Sequence, residues 1–252
     1  MQAQVYFIGA GPGDPDLITV KGQKIIAQSD VVIYAGSLVN PALLDGLNSE
    51  VEIYNSAEMT LEDVIDVMIK SIAQGKKVAR VHTGDPSIYG AIREQMDILD
   101  KHNITYEVIP GVSSFLAAAA SLKKEYTLPD VTQTIILTRM EGRTPVPEKE
   151  RLRSLAQHQA TMCIFLSIHS LADMVEDLKT SYAQDTPVAV VYKASWPEEK
   201  IVLGTLDTIV EKVKAAGITK TALVIVGHFL GDKYALSKLY DANFSHGYRS
   251  AK

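Results

Sequence analysis

Short apolar runs rich in valine and isoleucine recur along the chain, and between them the apolar positions fall three and four residues apart. A brief continuous run fits a strand buried on both faces, whereas the wider spacing marks one side of a helix. On that basis Gln4–Gly9, Val31–Tyr34, Val51–Tyr54, Lys77–His82 and Thr105–Ile109 are predicted as strands. Leu17–Gln28, Pro41–Leu47, Leu61–Gln74, Ile88–Lys101 and Ser113–Lys123 are predicted as helices between and after them. Thr60 is placed to cap the third of these and Gly75 to end it. Such alternation builds a largely parallel sheet with helices on both faces, an α/β arrangement.

The helical pattern breaks at Leu128-Pro129-Asp130, and a new strand at Gln133–Thr138 opens a second series. Later strands are expected at Met162–Leu166, Val188–Tyr192 and Leu223–Gly227, with a hairpin limb at Lys200–Leu203. Helices at Glu148–Gln157, Ser170–Lys179 and Leu206–Ala216 join them, the last stopped by Gly217 in a left-handed cap. A boundary after Leu128 gives an N-terminal α/β domain, residues 1–128, and a C-terminal α/β domain, residues 129–252. Two halves of similar length are expected to leave a cleft, a common place for a ligand.

Composition narrows the function classes. Hydrophobic residues make up 46% of the 252 and charged residues 22%, the balance of an ordinary folded protein. A net charge of −5 disfavours nucleic acid as a partner, because binding it needs a basic surface to displace counterions. An anionic ligand therefore has to meet a local group of Arg and Lys. No apolar run approaches the roughly 20 residues that span a bilayer. The apolar stretch Val5–Ala10 has neither a basic flank nor a cleavage site, so a cytoplasmic protein without a membrane partner is expected. The single cysteine, Cys163, lies in the apolar run Met162–Leu166, as a buried thiol would. It and six scattered histidines lack metal-ligand spacing, so no protein-bound metal is expected.

Three turns carry the candidate chemistry. The first, Gly9-Ala10-Gly11-Pro12-Gly13-Asp14, has a superficial likeness to a dinucleotide-binding turn. It departs from that pattern because Asp14 replaces the third glycine, Pro12 removes a backbone donor, and Asp14-Pro15-Asp16 delays the helix. The second, Thr83-Gly84-Asp85-Pro86-Ser87-Ile88-Tyr89-Gly90, follows a strand, where α/β sheets bind ligands. Asp85 is held extended by the following proline and is placed either to accept from ligand hydroxyls or to cap a helix. The third, Pro110-Gly111-Val112-Ser113-Ser114, leads into an apolar helix that either serine is placed to cap. All three leave strands of the N-terminal half, so their edges are expected to converge on one crevice.

These turns resemble those of the tetrapyrrole methylases, and the resemblance runs over nearly the whole chain. Thr138–Glu148, Val191–Pro197, Lys238–Asp241 and His246–Arg249 are similar to the branch of that family that methylates C-11 of precorrin-4. The resemblance implies a two-domain fold, with a mostly parallel sheet in the N-terminal domain and a mixed sheet in the C-terminal one. It also implies a homodimer, with S-adenosylmethionine bound folded in the cleft as methyl donor and a precorrin of cobalamin biosynthesis as substrate. For the cofactor it carries over Pro12, Thr83, Gly84, Asp85, Ile88, Ser113 and Ser114 from the first half, and Leu166, Ala194 and Ala222 from the second. Leu166 stands where relatives often have methionine, and either side chain offers an apolar contact to adenine or sulfonium.

That donor brings its own leaving group, so the macrocycle is the nucleophile, positioning is the main lever, and no catalytic side chain is assigned. The substrate's carboxylates suit Arg guanidinium groups. Arg80, Arg139, Arg143 and Lys193 are the substrate-binding candidates, each with a solvated surface charge as its alternative. The Pro-rich stretch Gly142–Pro147 is either a stiff loop over the cleft or the entry to the next helix. Tyr34 is followed by Ala35-Gly36-Ser37, without the acidic residue found there in relatives that act on uroporphyrinogen, so no general base is placed in that turn. His82 is expected to be a hydrogen-bonded structural imidazole rather than a proton carrier. Cobalt, where present, would arrive inside the substrate. Methylation of another precorrin ring carbon, of RNA or of diphthine, a non-catalytic tetrapyrrole carrier and a dehydrogenase are the rival readings. Acidic charge disfavours RNA, and the first turn disfavours a dehydrogenase.

Overall fold

The computed structural model describes residues 3–36 and 38–251; Ser37, named above, lies outside them. The chain divides into two compact units. The first runs to Ala117 and also takes in Lys193–Glu198; the second comprises Ala118–Tyr192 and the chain from Glu199 onward.

In the first unit, β1 (Val5–Gly9), β2 (Val31–Tyr34), β3 (Glu52–Asn55), β4 (Val78–His82) and β5 (Tyr106–Ile109) form an all-parallel sheet in the order β3-β2-β4-β1-β5. The predicted strands match within two residues. Alternation sends Val5, Phe7, Val31, Ile33 and Val78 to one face and Tyr6, Ile8, Val32, Ala79 and Val81 to the other. Both faces are buried, which is why these strands read as continuous apolar runs. Helices α1 (Val20–Ala27), α2 (Leu61–Ala73) and α3 (Arg93–Lys101) cover them, and α4 (Ser114–Leu122) follows β5. Ile26 of α1 packs on one face and Leu99 of α3 on the other. The chain thus leaves the neighbouring strands β1 and β4 toward opposite faces, the arrangement that opens a ligand crevice at the carboxyl edge of a doubly wound sheet.

In the second unit, β6 (Ile135–Arg139), β7 (Thr161–Phe165), β8 (Pro187–Tyr192), β9 (Lys200–Thr205) and β10 (Ala222–Val226) form a mixed sheet in the order β6-β7-β10-β8-β9. Only the β6–β7 pair is parallel. Met162, Ile164, Val188, Val190, Val224 and Val226 pack with the helices α5 (Leu152–Ala156), α6 (Leu171–Lys179) and α7 (Ile209–Ala215). Cys163 is fully buried, and burial pushes its pKa up to about 12, so the thiol stays protonated and inert. Gly217 ends α7 at φ +68, as a left-handed cap requires.

Several helix boundaries differ from expectation, each for a local reason. Pro41–Leu44 is a single 3₁₀ turn capped by Asn40, not a helix to Leu47. The helix expected from Leu17 starts at Val20, because Thr19 Oγ1 accepts from Gly22 N–H at 3.1 Å and fixes the start there. The helix expected from Ile88 starts at Arg93, because Tyr89 and Ala91 adopt left-handed φ values of 56° and 49°. The expected helix Glu148–Gln157 is a 3₁₀ turn, Glu148–Glu150, followed by the five-residue α5.

Helix α2 shows both termini signals at work. Thr60 Oγ1 accepts from Asp63 N–H at 3.2 Å while Asp63 Oδ2 accepts from Thr60 N–H at 2.9 Å, a reciprocal capping box, and Gly75 follows at φ +76. Replacing Thr60 with Ala is expected to lower stability by about 1 kcal/mol. Urea unfolding of the purified variant measures the loss, and a midpoint equal to wild type would show that the cap contributes nothing.

Candidate active site

The sheet order sets the carboxyl ends of β4, β1 and β5 side by side, and the turns leaving them are joined through their backbones. Gly11 N–H donates to Gly84 O at 3.3 Å, and Gly84 N–H donates to Gly11 O at 2.8 Å. Gly9, Gly84 and Gly111 meet main chain to main chain. A methyl group on Gly9 would lie 2.5 Å from Gly111 Cα, and one on Gly111 would lie 2.1 Å from Gly84 O. No side chain fits at either place without moving backbone. Asp85 closes the group, its Oδ2 accepting from Gly111 N–H and its Oδ1 from Ser87 N–H, each at 2.8 Å. It therefore ties the second turn to the third rather than capping a helix, since α3 begins at Arg93.

The other turn candidates cluster here. Pro12, Gly84 and Ser113 are buried, Thr83 and Ile88 are partly exposed, and Ser114 opens α4. Thr83 Oγ1 donates to Leu38 O at 3.3 Å, and Ser113 O accepts from Leu116 N–H at 3.0 Å. None of the three turns contains Lys or Arg, while Asp14 and Asp85 contribute carboxylates. That donor set gives a pyrophosphate no cation and suits a ligand of neutral or positive reacting centre.

Lys193–Glu198, the connection between β8 and β9, packs on the first turn. Trp196 Nε1–H donates to Pro12 O at 3.0 Å, and Asp14 N–H donates to Ser195 Oγ at 3.0 Å. The indole lies against Gly13, where an added Cβ would be 2.0 Å from Trp196 Cδ1. Ala194 is buried beside them. Lys193 Nζ sits 4.7 Å from the indole centroid and 3.5 Å from Glu198 Oε1. Lys193 and Ser195 hold φ values of 47° and 69°, a conformation that costs about 1–2 kcal/mol per non-glycine residue. Eight of the ten cofactor candidates thus belong to this unit, the exceptions being Leu166 and Ala222.

On β4, Arg80 is buried, not a solvated surface charge. Its Nε donates to Gln95 Oε1 at 3.2 Å and its Nη1 to Ile33 O at 3.3 Å, and burial pulls its pKa down to about 10. His82 is also buried, and its Nε2 has no partner among the described residues, contrary to the hydrogen-bonded imidazole expected. Burial, followed by the Arg80 charge, pushes its pKa down to about 3, so the ring is neutral.

In the second unit, Leu166 follows β7 with 58% of its surface exposed and φ at 55°. Ala222 opens β10, where it pairs with Tyr192 of β8. Arg139 ends β6 and spends its guanidinium on its own loop, donating to Met140 O and Thr144 O at 3.1 Å and to Pro145 O at 2.8 Å. The Pro-rich stretch is thereby an ordered loop, and Arg143 stands exposed on it.

The sequence model of the tetrapyrrole (corrin/porphyrin) methylases matches residues 4–210. The chain belongs to this family. Among the tetrapyrrole methylases, the cobalt-precorrin-4 C(11)-methyltransferase of Methanocaldococcus jannaschii is 62% identical over 250 residues, spanning 98% of this chain and 96% of that protein. The X-ray structure of a cobalt-precorrin-4 methyltransferase superposes with a TM-score of 0.88 at 48% identity, covering 90% of this chain and 96% of that one. A uroporphyrin-III C-methyltransferase of Thermus thermophilus, complexed with S-adenosylhomocysteine, gives a TM-score of 0.75 at 25% identity, covering 90% and 93%. The parallel first sheet and mixed second sheet agree with the mostly parallel and mixed sheets expected of a tetrapyrrole methylase.

Sequence reasoning does not single out Ser195 or Trp196. The only tryptophan, set ahead of a proline, is the signal the chain offers, but its partner Pro12 lies 184 residues away and is chosen by folding alone.

Gly9→Ala is expected to cost about 3 kcal/mol or more, because the methyl meets two stretches of backbone. Gly142→Ala, with nothing within 4 Å of its added Cβ, stays within about 0.5 kcal/mol of wild type. Equal urea midpoints for the two variants would show that the turns are not packed as described.

The buried neutral His82 gives stability a pH dependence. Its pKa falls from 6.5 to about 3 on folding, so the unfolded chain binds more protons in between, and stability present above 6.5 is lost as pH falls. Between pH 7 and 4.5 this residue alone removes about 2–3 kcal/mol. His82→Asn is expected to flatten that limb, read as the difference between variant and wild-type unfolding free energies at the two pH values. Parallel profiles would refute it.

Proposed function

We propose that the chain transfers the methyl group of S-adenosylmethionine to C-11 of a cobalt-bearing precorrin-4 in cobalamin biosynthesis. The observation that carries this is 62% identity to a cobalt-precorrin-4 C(11)-methyltransferase across 98% of the chain. The turn cluster fits the donor, whose sulfonium supplies an activated methyl group and whose carrier needs no cationic nest. Pro12, Thr83, Gly84, Asp85, Ile88, Ser113, Ser114 and Ala194 would hold it; Leu166 and Ala222 keep the same role from the resemblance.

This chain's residues act by placement. The glycine contacts and the Asp85 bonds fix the turns before any ligand arrives, so little ordering is left to accompany binding. Lys193 and the exposed Arg143 are read as partners for macrocycle carboxylates, with Arg139 ordering the loop that carries Arg143. Arg80, buried on Gln95 Oε1 and Ile33 O, would have to exchange those acceptors to serve as a third cation for the substrate. With His82 neutral near pH 7, no acid or base is assigned, and cobalt travels in the macrocycle. A cytoplasmic homodimer is the state in which we expect the enzyme to work; among the described residues no helix is long and apolar enough to cross a membrane.

Purified protein incubated anaerobically with S-adenosylmethionine and enzymatically made precorrin-4, with and without cobalt, tests the proposal by mass spectrometry and carbon NMR. One added methyl at position 11, formed faster on the cobalt substrate, is expected. Methylation at another carbon, or none, refutes it. Arg143→Ala should weaken macrocycle binding about tenfold, the scale of one charge-assisted hydrogen bond, and Asp85→Ala should weaken donor binding by a similar factor. Calorimetric affinities that do not change dismiss each assignment separately.

A further inference from the structure

Beyond the backbone bonds at Gly11, the first turn is held by three side chains from elsewhere. Gly13 O accepts from Asn40 Nδ2 at 2.7 Å, Pro12 O accepts from Trp196 Nε1, and Asp14 N–H donates to Ser195 Oγ. Two of these three bonds come from Lys193–Glu198. In that segment the indole does two things at once. Its N–H edge grips Pro12 O, and its face carries the Lys193 ammonium at 4.7 Å. Gly13, without a side chain, lets the ring lie directly on the turn's backbone. The ammonium meets the indole face and, at 3.5 Å, Glu198, each a modest attraction at a partly exposed site. A carboxylate arriving at Lys193 competes for an ammonium that rests on the same ring that grips Pro12 O.

We propose that Trp196 is a positioning residue linking carboxylate binding at Lys193 to the turn Pro12–Asp14, so that occupation of either site raises affinity at the other. This rests on the reading above, in which that turn holds the methyl donor and Lys193 meets a macrocycle carboxylate. Binding linkage makes the effect reciprocal. Trp196→Phe is the informative substitution, since it keeps an aromatic face under Lys193 and on Gly13 while deleting the N–H.

The test is calorimetric titration of the full-length protein with S-adenosylhomocysteine, with and without saturating uroporphyrin as a polycarboxylate macrocycle probe. Wild type should bind S-adenosylhomocysteine about fivefold more tightly when the probe is present. Trp196→Phe should bind it about five- to tenfold more weakly, lose the coupling to within twofold, and melt within about 2 °C of wild type. Lys193→Met should lose the coupling. Because Trp196 is the only tryptophan, its emission should change on saturation with S-adenosylhomocysteine. Wild-type affinity and coupling in Trp196→Phe, an unchanged emission, or a wild type that binds both ligands without coupling would each overturn the link. Should Trp196→Phe melt lower, retained coupling in Lys193→Met still overturns the proposal. A wild type that does not bind S-adenosylhomocysteine removes the donor reading and the link together, whereas binding without coupling removes the link alone.

Discussion

The contact of Gly9, Gly84 and Gly111, backbone against backbone, is the constraint on which the first unit's functional edge rests. Three strand-end turns can approach this closely only where no Cβ intervenes, and once they do, their polar groups find one another. Gly11 and Gly84 exchange two hydrogen bonds, and both Asp85 oxygens are taken by backbone N–H groups. Preformed turns of this kind place a ligand with little reorganisation. The parallel order β4-β1-β5 supplies the neighbours, and the opposite departures of the chain from β1 and β4 leave their shared edge open.

Charge is distributed by the same economy of placement. The turns bear carboxylates and no cations, in keeping with a sulfonium donor rather than a nucleotide pyrophosphate. The cations sort by their partners. Arg139 is committed to three loop carbonyls, Lys193 is poised between an indole face and Glu198, and Arg80 is buried on neutral acceptors. His82, neutral beside Arg80, adds no second positive charge to that interior. A protein so arranged contributes position more than proton transfer, which matches a donor that already carries its leaving group.

Local signals were legible where a few neighbouring residues decide the outcome. The apolar runs located the strands within two residues, and the cap at Thr60 and the helix-ending glycines at positions 75 and 217 lie where the residue types place them. Helix starts were less legible. The onset of α3 depends on Tyr89 and Ala91 taking left-handed conformations that their side chains disfavour, so their residue types give no sign of it.

The chain by itself determined the α/β class, the periodic cores and the family likeness, because hydrophobic period and turn chemistry act over a few residues. Folding alone decided which distant groups meet: Trp196 on Pro12 and Gly13, Asp85 on Gly111, Arg80 in the interior rather than in water. Those pairings depend on strand order and backbone approach in three dimensions. Spacing along a sequence carries no record of a contact between residues 184 positions apart.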